Sequence, residues 1–130
     1  MLFDTSGMLC LLHKPEPFHD RACQLYKAAT VRLTHSLVLA EFVALSTSRG
    51  LPRAAALSFL MDLLANPDIE IVWVDERLAS KAITHLLSRL DKSYSMCDAV
   101  SFVLMRQHNL TDALTTDHHF EQEGFRRLLQ

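Results

Sequence analysis

Short apolar runs alternate along this chain with longer stretches whose apolar residues recur at helical spacing. Met1-Leu2-Phe3 opens as a short buried strand ended by Asp4, and Thr5-Ser6-Gly7 reads as a turn. A short helix is expected over residues 8–13, stopped by Lys14-Pro15-Glu16-Pro17. Ala22, Leu25, Tyr26 and Ala29 give a helix within residues 18–29, and Val31 to Thr34 is a strand candidate. Ser36 begins a helix to about Ser48, which Gly50 stops, and Pro52 suits the first turn of a helix over residues 53–65. Asn66-Pro67-Asp68 breaks it. Ile69 to Val74 is β-branched and reads as a strand, with Trp73 alternating with Ile71 and taken as core. Asp75 caps a helix over residues 76–90, with Leu78, Ala82, Ile83, Leu86 and Leu90 on one face. A helix follows from Ser95 to about His108, then a strand over residues 113–116, a helical turn at His118 to Glu121 and a last strand or tail over residues 125–129.

Strands alternating with helices imply a short central parallel sheet covered on both faces, a three-layer α/β/α sandwich. In such sheets ligands bind beyond the carboxyl ends of the strands. The length of 130 residues fits one domain spanning residues 1–130, large enough for a core without disulfides. Three glycines and four prolines argue against long flexible linkers. The net charge of −2 is not that of a protein that coats nucleic acid, so contact with nucleic acid is expected to be local and metal-mediated. Cys10, Cys23 and Cys97 show no metal-type spacing and fit free thiols in a reducing cytoplasm. No basic stretch precedes the first apolar residues, so no signal peptide is expected, and no apolar run approaches the ~20 residues that span a bilayer.

Four acids stand out against this background. Asp4 and Asp117 fall at the carboxyl ends of predicted strands, Asp98 opens the largely apolar run to Met105, and Glu41 has four apolar residues on either side. A buried carboxylate is costly unless paired or bound to metal. Each acid also has a purely structural explanation. Asp4 and Asp117 could cap following helical turns, and Ser95-Met96-Cys97-Asp98 has the form of a capping box. Glu41, with Leu37, Val38, Ala44 and Leu45 one turn away, is expected on a buried helix face, where a Lys or Arg partner is the alternative to metal. Several carboxylates from distant parts of a chain suit hard divalent cations. One or two Mg²⁺ or Mn²⁺ ions there would activate water for in-line attack on a phosphodiester, with no side-chain nucleophile. The reading is a metal-dependent phosphodiesterase, specifically a ribonuclease.

Other chemistries have less support. The seven histidines show no metalloprotease pair, although His118 and His119 adjoin Asp117 and could touch substrate or metal. There is no glycine-rich phosphate loop, and Ser6-Gly7 is too short a signal for a nucleophile elbow. A phosphatase with nucleophilic Asp4 would want a second acid two residues on, where Ser6 stands. Arg49, Arg53, Arg89 and Lys92 read as solvated helix ends rather than phosphate contacts.

These residues resemble the PIN-domain family, specifically the VapC-like toxins of bacterial toxin–antitoxin pairs. The resemblance spans essentially the whole chain. It rests on Leu2-Phe3-Asp4-Thr5-Ser6, on Glu41 in its apolar helix, on Tyr94 to Phe102, and on Ala113 to Phe120 with Gly124-Phe125. The resemblance implies a PIN-like sandwich and a Mg²⁺- or Mn²⁺-dependent endoribonuclease. It also implies Asp4, Glu41, Asp98 and Asp117 as catalytic, metal-site acids, with Thr5, Ser6 and Thr115 or Thr116 orienting them or metal-held water. RNA as substrate, a small antitoxin, a homodimer and a cytoplasmic location are further implications. Two alternatives remain beside the toxin: a silent module that binds RNA or protein, and a solitary RNA-processing nuclease. One position departs from the pattern. Many relatives carry a further acid two residues after the last Asp, and here it is His119. One-ion and two-ion sites are therefore both open, with Asp112 and Asp91 as weak candidates to compensate.

Overall fold

The computed structural model describes residues 1–130. Its first strand, β1 (Leu2–Phe3), leads directly into α1 (Thr5–Leu12). The expected turn at Thr5-Ser6-Gly7 is instead the first turn of this helix. The reason lies at Gly7: a β-carbon there would stand 2.0 Å from the Leu114 carbonyl oxygen. Glycine lets α1 start at once and lie hard against the neighbouring strand. The chain continues through α2 (His19–Ala28), β2 (Leu33–His35), α3 (Ser36–Ser48) and α4 (Arg53–Ala65). It then forms β3 (Glu70–Val72), α5 (Glu76–Leu87), α6 (Met96–Gln107), β4 (Asp112–Leu114), α7 (His119–Gln122) and β5 (Arg126–Arg127).

The five strands make one sheet in the order β3-β2-β1-β4-β5, and every pairing is parallel. Parallel strands need crossovers, and the helices supply them on both faces. The strand residues divide accordingly. Phe3 and Leu114 join one apolar cluster with Met8, Val38, Phe42 and Leu63 from α1, α3 and α4. Leu2, Leu33 and Ala113 join the other, with Leu78, Ala82, Val100, Phe102 and Phe120 from α5, α6 and α7. The α/β/α sandwich expected from the alternation is the one observed.

Several local expectations need correction. Trp73 is 63% exposed rather than core. It lies beyond Val72, the last residue of edge strand β3 to pair with β2, and so leaves the sheet behind. Helix α5 ends at Leu87, three residues early, and only Leu78 and Ala82 of its expected face are buried. Ile83 and Leu90 are exposed. Asp75 does cap this helix, its carboxylate accepting from the Leu78 amide at 2.8 Å. Strand β4 ends at Leu114, so Thr115 and Thr116 belong to the loop beyond it. No helix is long and apolar enough to cross a membrane.

Candidate active site

Strand order places the site. The order in which the chain adds strands reverses between β1 and β4: β2 and β3 are laid down on one side of β1, and β4 and β5 on the other. Crevices at such a switch point, outside the carboxyl ends of the strands, are where ligands bind in open α/β sheets. Asp4 follows β1, and the loop from Thr115 to Asp117 follows β4. Two acids far apart in sequence meet there because their strands pair, with Leu2 opposite Ala113 and Phe3 opposite Leu114.

A chain of hydrogen bonds ties the two loops. The Thr115 hydroxyl donates to Asp4 Oδ2 at 2.9 Å and accepts from the Asp117 amide at 2.9 Å. The Ser6 and Thr115 hydroxyl oxygens are 3.1 Å apart, and Ser6 Oγ accepts from the Thr116 amide at 3.0 Å. Ser6 and Thr115 therefore hold the acids in place. Thr116 contributes backbone: its amide binds Ser6 and its carbonyl accepts from Arg127 Nη1. Thr5 is buried, and its hydroxyl oxygen has no partner.

Asp4 is buried and makes no capping bond to α1, which removes capping as its explanation. Burial pushes its carboxyl up to about 7. The Thr5 amide and Thr115 hydroxyl oppose that rise, and the charges of Asp98 and Glu41 add to it. Those two acids are thus close enough to act on Asp4 electrostatically. Asp98 is also buried. The expected capping box is present: Ser95 Oγ accepts from the Asp98 amide at 3.0 Å, and Asp98 Oδ2 accepts from the Ser95 amide at 3.1 Å. Capping and presentation at the site are compatible, because the cap fixes this carboxylate at the start of α6.

Glu41 corrects an expectation. It is exposed, not on a buried helix face. Val38, Leu39 and Phe42 carry the buried side of α3, and Glu41 looks out beside them. Its charge nonetheless acts on the site: burial first, then the charges of Glu41 and Asp4, push the Cys97 thiol far above its usual range. Glu41 stands at the solvent edge of the cluster. Asp117 is partly exposed, and its Oδ1 accepts from the His119 amide at 2.9 Å, tightening the turn into α7.

The sequence marked His119 as a departure from the family pattern and, with His118, as a residue that could touch substrate or metal. Here it joins the two halves of the site. Its Nδ1 lies 3.0 Å from Asp98 Oδ2 and 3.4 Å from Asp117 Oδ2. Its Nε2 lies 3.3 Å from Ser93 Oγ, and the Tyr94 ring packs against it edge-on at 5.2 Å. Cys97, Ser93 and Tyr94 carry no chemical pattern of their own, so only coordinates could find them. Asp112 and Asp91 do not join the site. Asp112 pairs with Arg126 at the amino end of β4, and Asp91 lies beside Lys92. Arg49 and Arg89 are likewise engaged elsewhere, with Glu16 and Glu123. The largest surface cavity, about 890 Å³, runs between Met1, Asp112 and Arg126 at the amino ends of the strands and includes none of Asp4, Glu41, Asp98, Asp117 and His119.

No Lys or Arg pairs with Asp4, Glu41, Asp98 or Asp117; histidines alone come within ion-pair distance of any of them. That leaves the Lys or Arg partner considered for Glu41 without support. Acids crowded in partial burial, lacking a basic partner, with Asp4 driven toward neutrality, fit a divalent cation by their donor chemistry. Asp117, His118 and His119 also bring one ligand atom each to within 4.8 Å of one another.

The PIN domain family model matches residues 1–125. The 23S rRNA-specific endonuclease VapC20, in two strains of Mycobacterium tuberculosis, is 31% identical over 127 residues, covering 96% of this chain and 95% of that protein. The crystal structure of M. tuberculosis VapC20, described as a sarcin–ricin-loop-cleaving toxin, superposes with a TM-score of 0.86 at 26% identity, covering 96% and 95% of the two chains. With the family model matching residues 1–125 of the 130, and a parallel sheet that delivers acids to its switch point, the chain belongs to the PIN-domain family.

Proposed function

We propose that this protein is a metal-dependent endoribonuclease and the toxin of a toxin–antitoxin pair, with Asp4, Glu41, Asp98 and Asp117 as its catalytic acids. The observation that carries the reading is the meeting of these acids at the β1/β4 switch point without a Lys or Arg partner. Asp4, Asp98 and Asp117 would hold a divalent cation, Mg²⁺ or Mn²⁺, with Glu41 at the open edge. When bound, such a cation supplies activation of water and neutralisation of charge at the phosphate. The protein's part is to hold the acids. The Thr115 hydroxyl orients Asp4, the Thr115–Asp117 contact fixes the loop, and the cap at Ser95 aims Asp98. The partial exposure of Asp117 and the exposure of Glu41 leave the cluster open to a polymer that could not enter a closed cavity.

VapC20's cleavage of 23S rRNA supports ribosomal RNA, and the sarcin–ricin loop first, as the substrate to try. Apolar side chains exposed on α4 (Leu57, Met61, Leu64) and on and after α5 (Ile83, Leu87, Leu90) support an antitoxin and a second copy of the chain as partners. The test is cleavage of labelled 23S rRNA fragments, tRNA and single-stranded RNA by purified protein, with Mn²⁺, Mg²⁺ or EDTA. Cutting that needs metal and is lost in Asp98→Asn supports the reading. Cutting that persists in EDTA, or in the variant, overturns the proposed site. Growth arrest on expression, relieved by an adjacent small open reading frame, separates a toxin from a solitary RNA-processing nuclease.

A further inference from the structure

We propose that His119 Nδ1 is a ligand of the same ion as Asp98 and Asp117, so that the site selects Mn²⁺ and later first-row dications over Mg²⁺. The inference rests on the metal-dependent reading above and specifies the donor set of that site.

Three observations carry it. First, the spacing is that of one coordination sphere. Metal–ligand bonds of ~2.1 Å place neighbouring ligand atoms roughly 3 Å apart. Nδ1 lies 3.0 Å from Asp98 Oδ2 and 3.4 Å from Asp117 Oδ2. Second, the far nitrogen has a partner. Nε2 lies 3.3 Å from Ser93 Oγ, and a ligating imidazole typically donates its other N–H in this way, which leaves a lone pair on the metal-facing nitrogen. Without the ion, Nδ1–H can instead donate to Asp98 Oδ2 at 3.0 Å, so the same nitrogen faces the carboxylates in both states. Third, the ring is held. Tyr94 packs on it edge-on and is itself packed against Phe102 at 5.0 Å. Glu123 anchors the end of α7 through Arg89 and Arg106.

An imidazole in place of a carboxylate changes the metal. Carboxylate and water sets suit Mg²⁺, Ca²⁺ and Mn²⁺, whereas imidazole favours later transition ions, and affinity rises along that series. It also removes one negative charge, which lowers the purely electrostatic hold on Mg²⁺.

The experiment is pulsed electron paramagnetic resonance on full-length protein carrying one equivalent of Mn²⁺, with Mg²⁺ competition followed by calorimetry. Wild type is expected to show ¹⁴N coupling to the bound Mn²⁺. His119→Asp and His119→Gln are expected to lose it, and His118→Ala to keep it. In His119→Asp, the Mg²⁺ needed to displace half the Mn²⁺ is expected to fall on the order of tenfold. Bound Mn²⁺ without ¹⁴N coupling in wild type, or coupling that survives in both His119 variants, overturns the proposal and leaves the nuclease reading standing. Failure of wild type to bind Mn²⁺ at all overturns both.

Discussion

Asp4→Asn is expected to stabilise the metal-free protein at neutral and higher pH while abolishing RNA cleavage. In the unfolded chain this carboxyl ionises near 3.8; folded and without metal, burial moves it to about 7. A raised folded value gives stability that is complete below the unfolded pKa and is lost as pH rises through the folded one. The window therefore runs from about pH 4 to about pH 7. At ~1.4 kcal/mol per pH unit, ionised Asp4 costs on the order of 4 kcal/mol above that window. Asparagine can still accept from the Thr115 hydroxyl, but burying its amide costs ~1–3 kcal/mol, so about 2 kcal/mol should remain. For a chain of this length that is a Tm rise of about 7 °C. Calorimetry in EDTA at pH 8 should show the rise, and at pH 5, inside the window, the two proteins should melt within about 2 °C. Saturating Mn²⁺ should reverse the order, because free metal at a hundred times Kd adds about 2.7 kcal/mol to the protein that binds it. An Asp4→Asn variant that melts at or below wild type at pH 8 in EDTA would refute the claim that Asp4 is a buried acid awaiting a cation.

Asp98→Asn should lose cleavage yet stay folded, with a stability change within about 1 kcal/mol, since asparagine can still accept from the Ser95 amide; unfolding under native conditions, seen by circular dichroism, would make Asp98 structural. Thr115→Val keeps the shape but strips the donor from Asp4 and the acceptor from the Asp117 amide, and chemical denaturation should show a loss of ~1–3 kcal/mol with reduced cleavage. Gly7→Ala drives a methyl into the Leu114 carbonyl; a loss of roughly 3 kcal/mol, read from the urea midpoint, is expected because neither backbone can yield. Glu41→Gln should leave the metal-free Tm within about 2 °C, as its side chain is exposed, while weakening Mn²⁺ binding in a calorimetric titration.

The alternation of strand and helix patterns was enough to infer a parallel sheet with helices on both faces, since parallel strands require crossovers. The same pattern placed Asp4 and Asp117 at strand ends, and Ser95 to Asp98 announced its own helix start. These features are local, written in the spacing of a few consecutive residues. The start of α1 is not legible in the sequence, because the requirement at Gly7 comes from Leu114, more than a hundred residues away. The exposure of Trp73 is equally hidden, because period-two alternation says which face a side chain takes, not where the partner strand stops. Glu41 looked buried because its neighbours are apolar; only the packing of α3, with Val38 and Phe42 turned inward, decided that its own position faces solvent. The meeting of Asp98 with Asp117 through His119, and of Glu41 with Cys97, is likewise a matter of strand order and helix placement. Sequence periodicity determined the elements and marked the acids, because both are encoded residue by residue. Which acids share one site, and which histidine joins them, depends on contacts between distant segments that exist only once the sheet has formed.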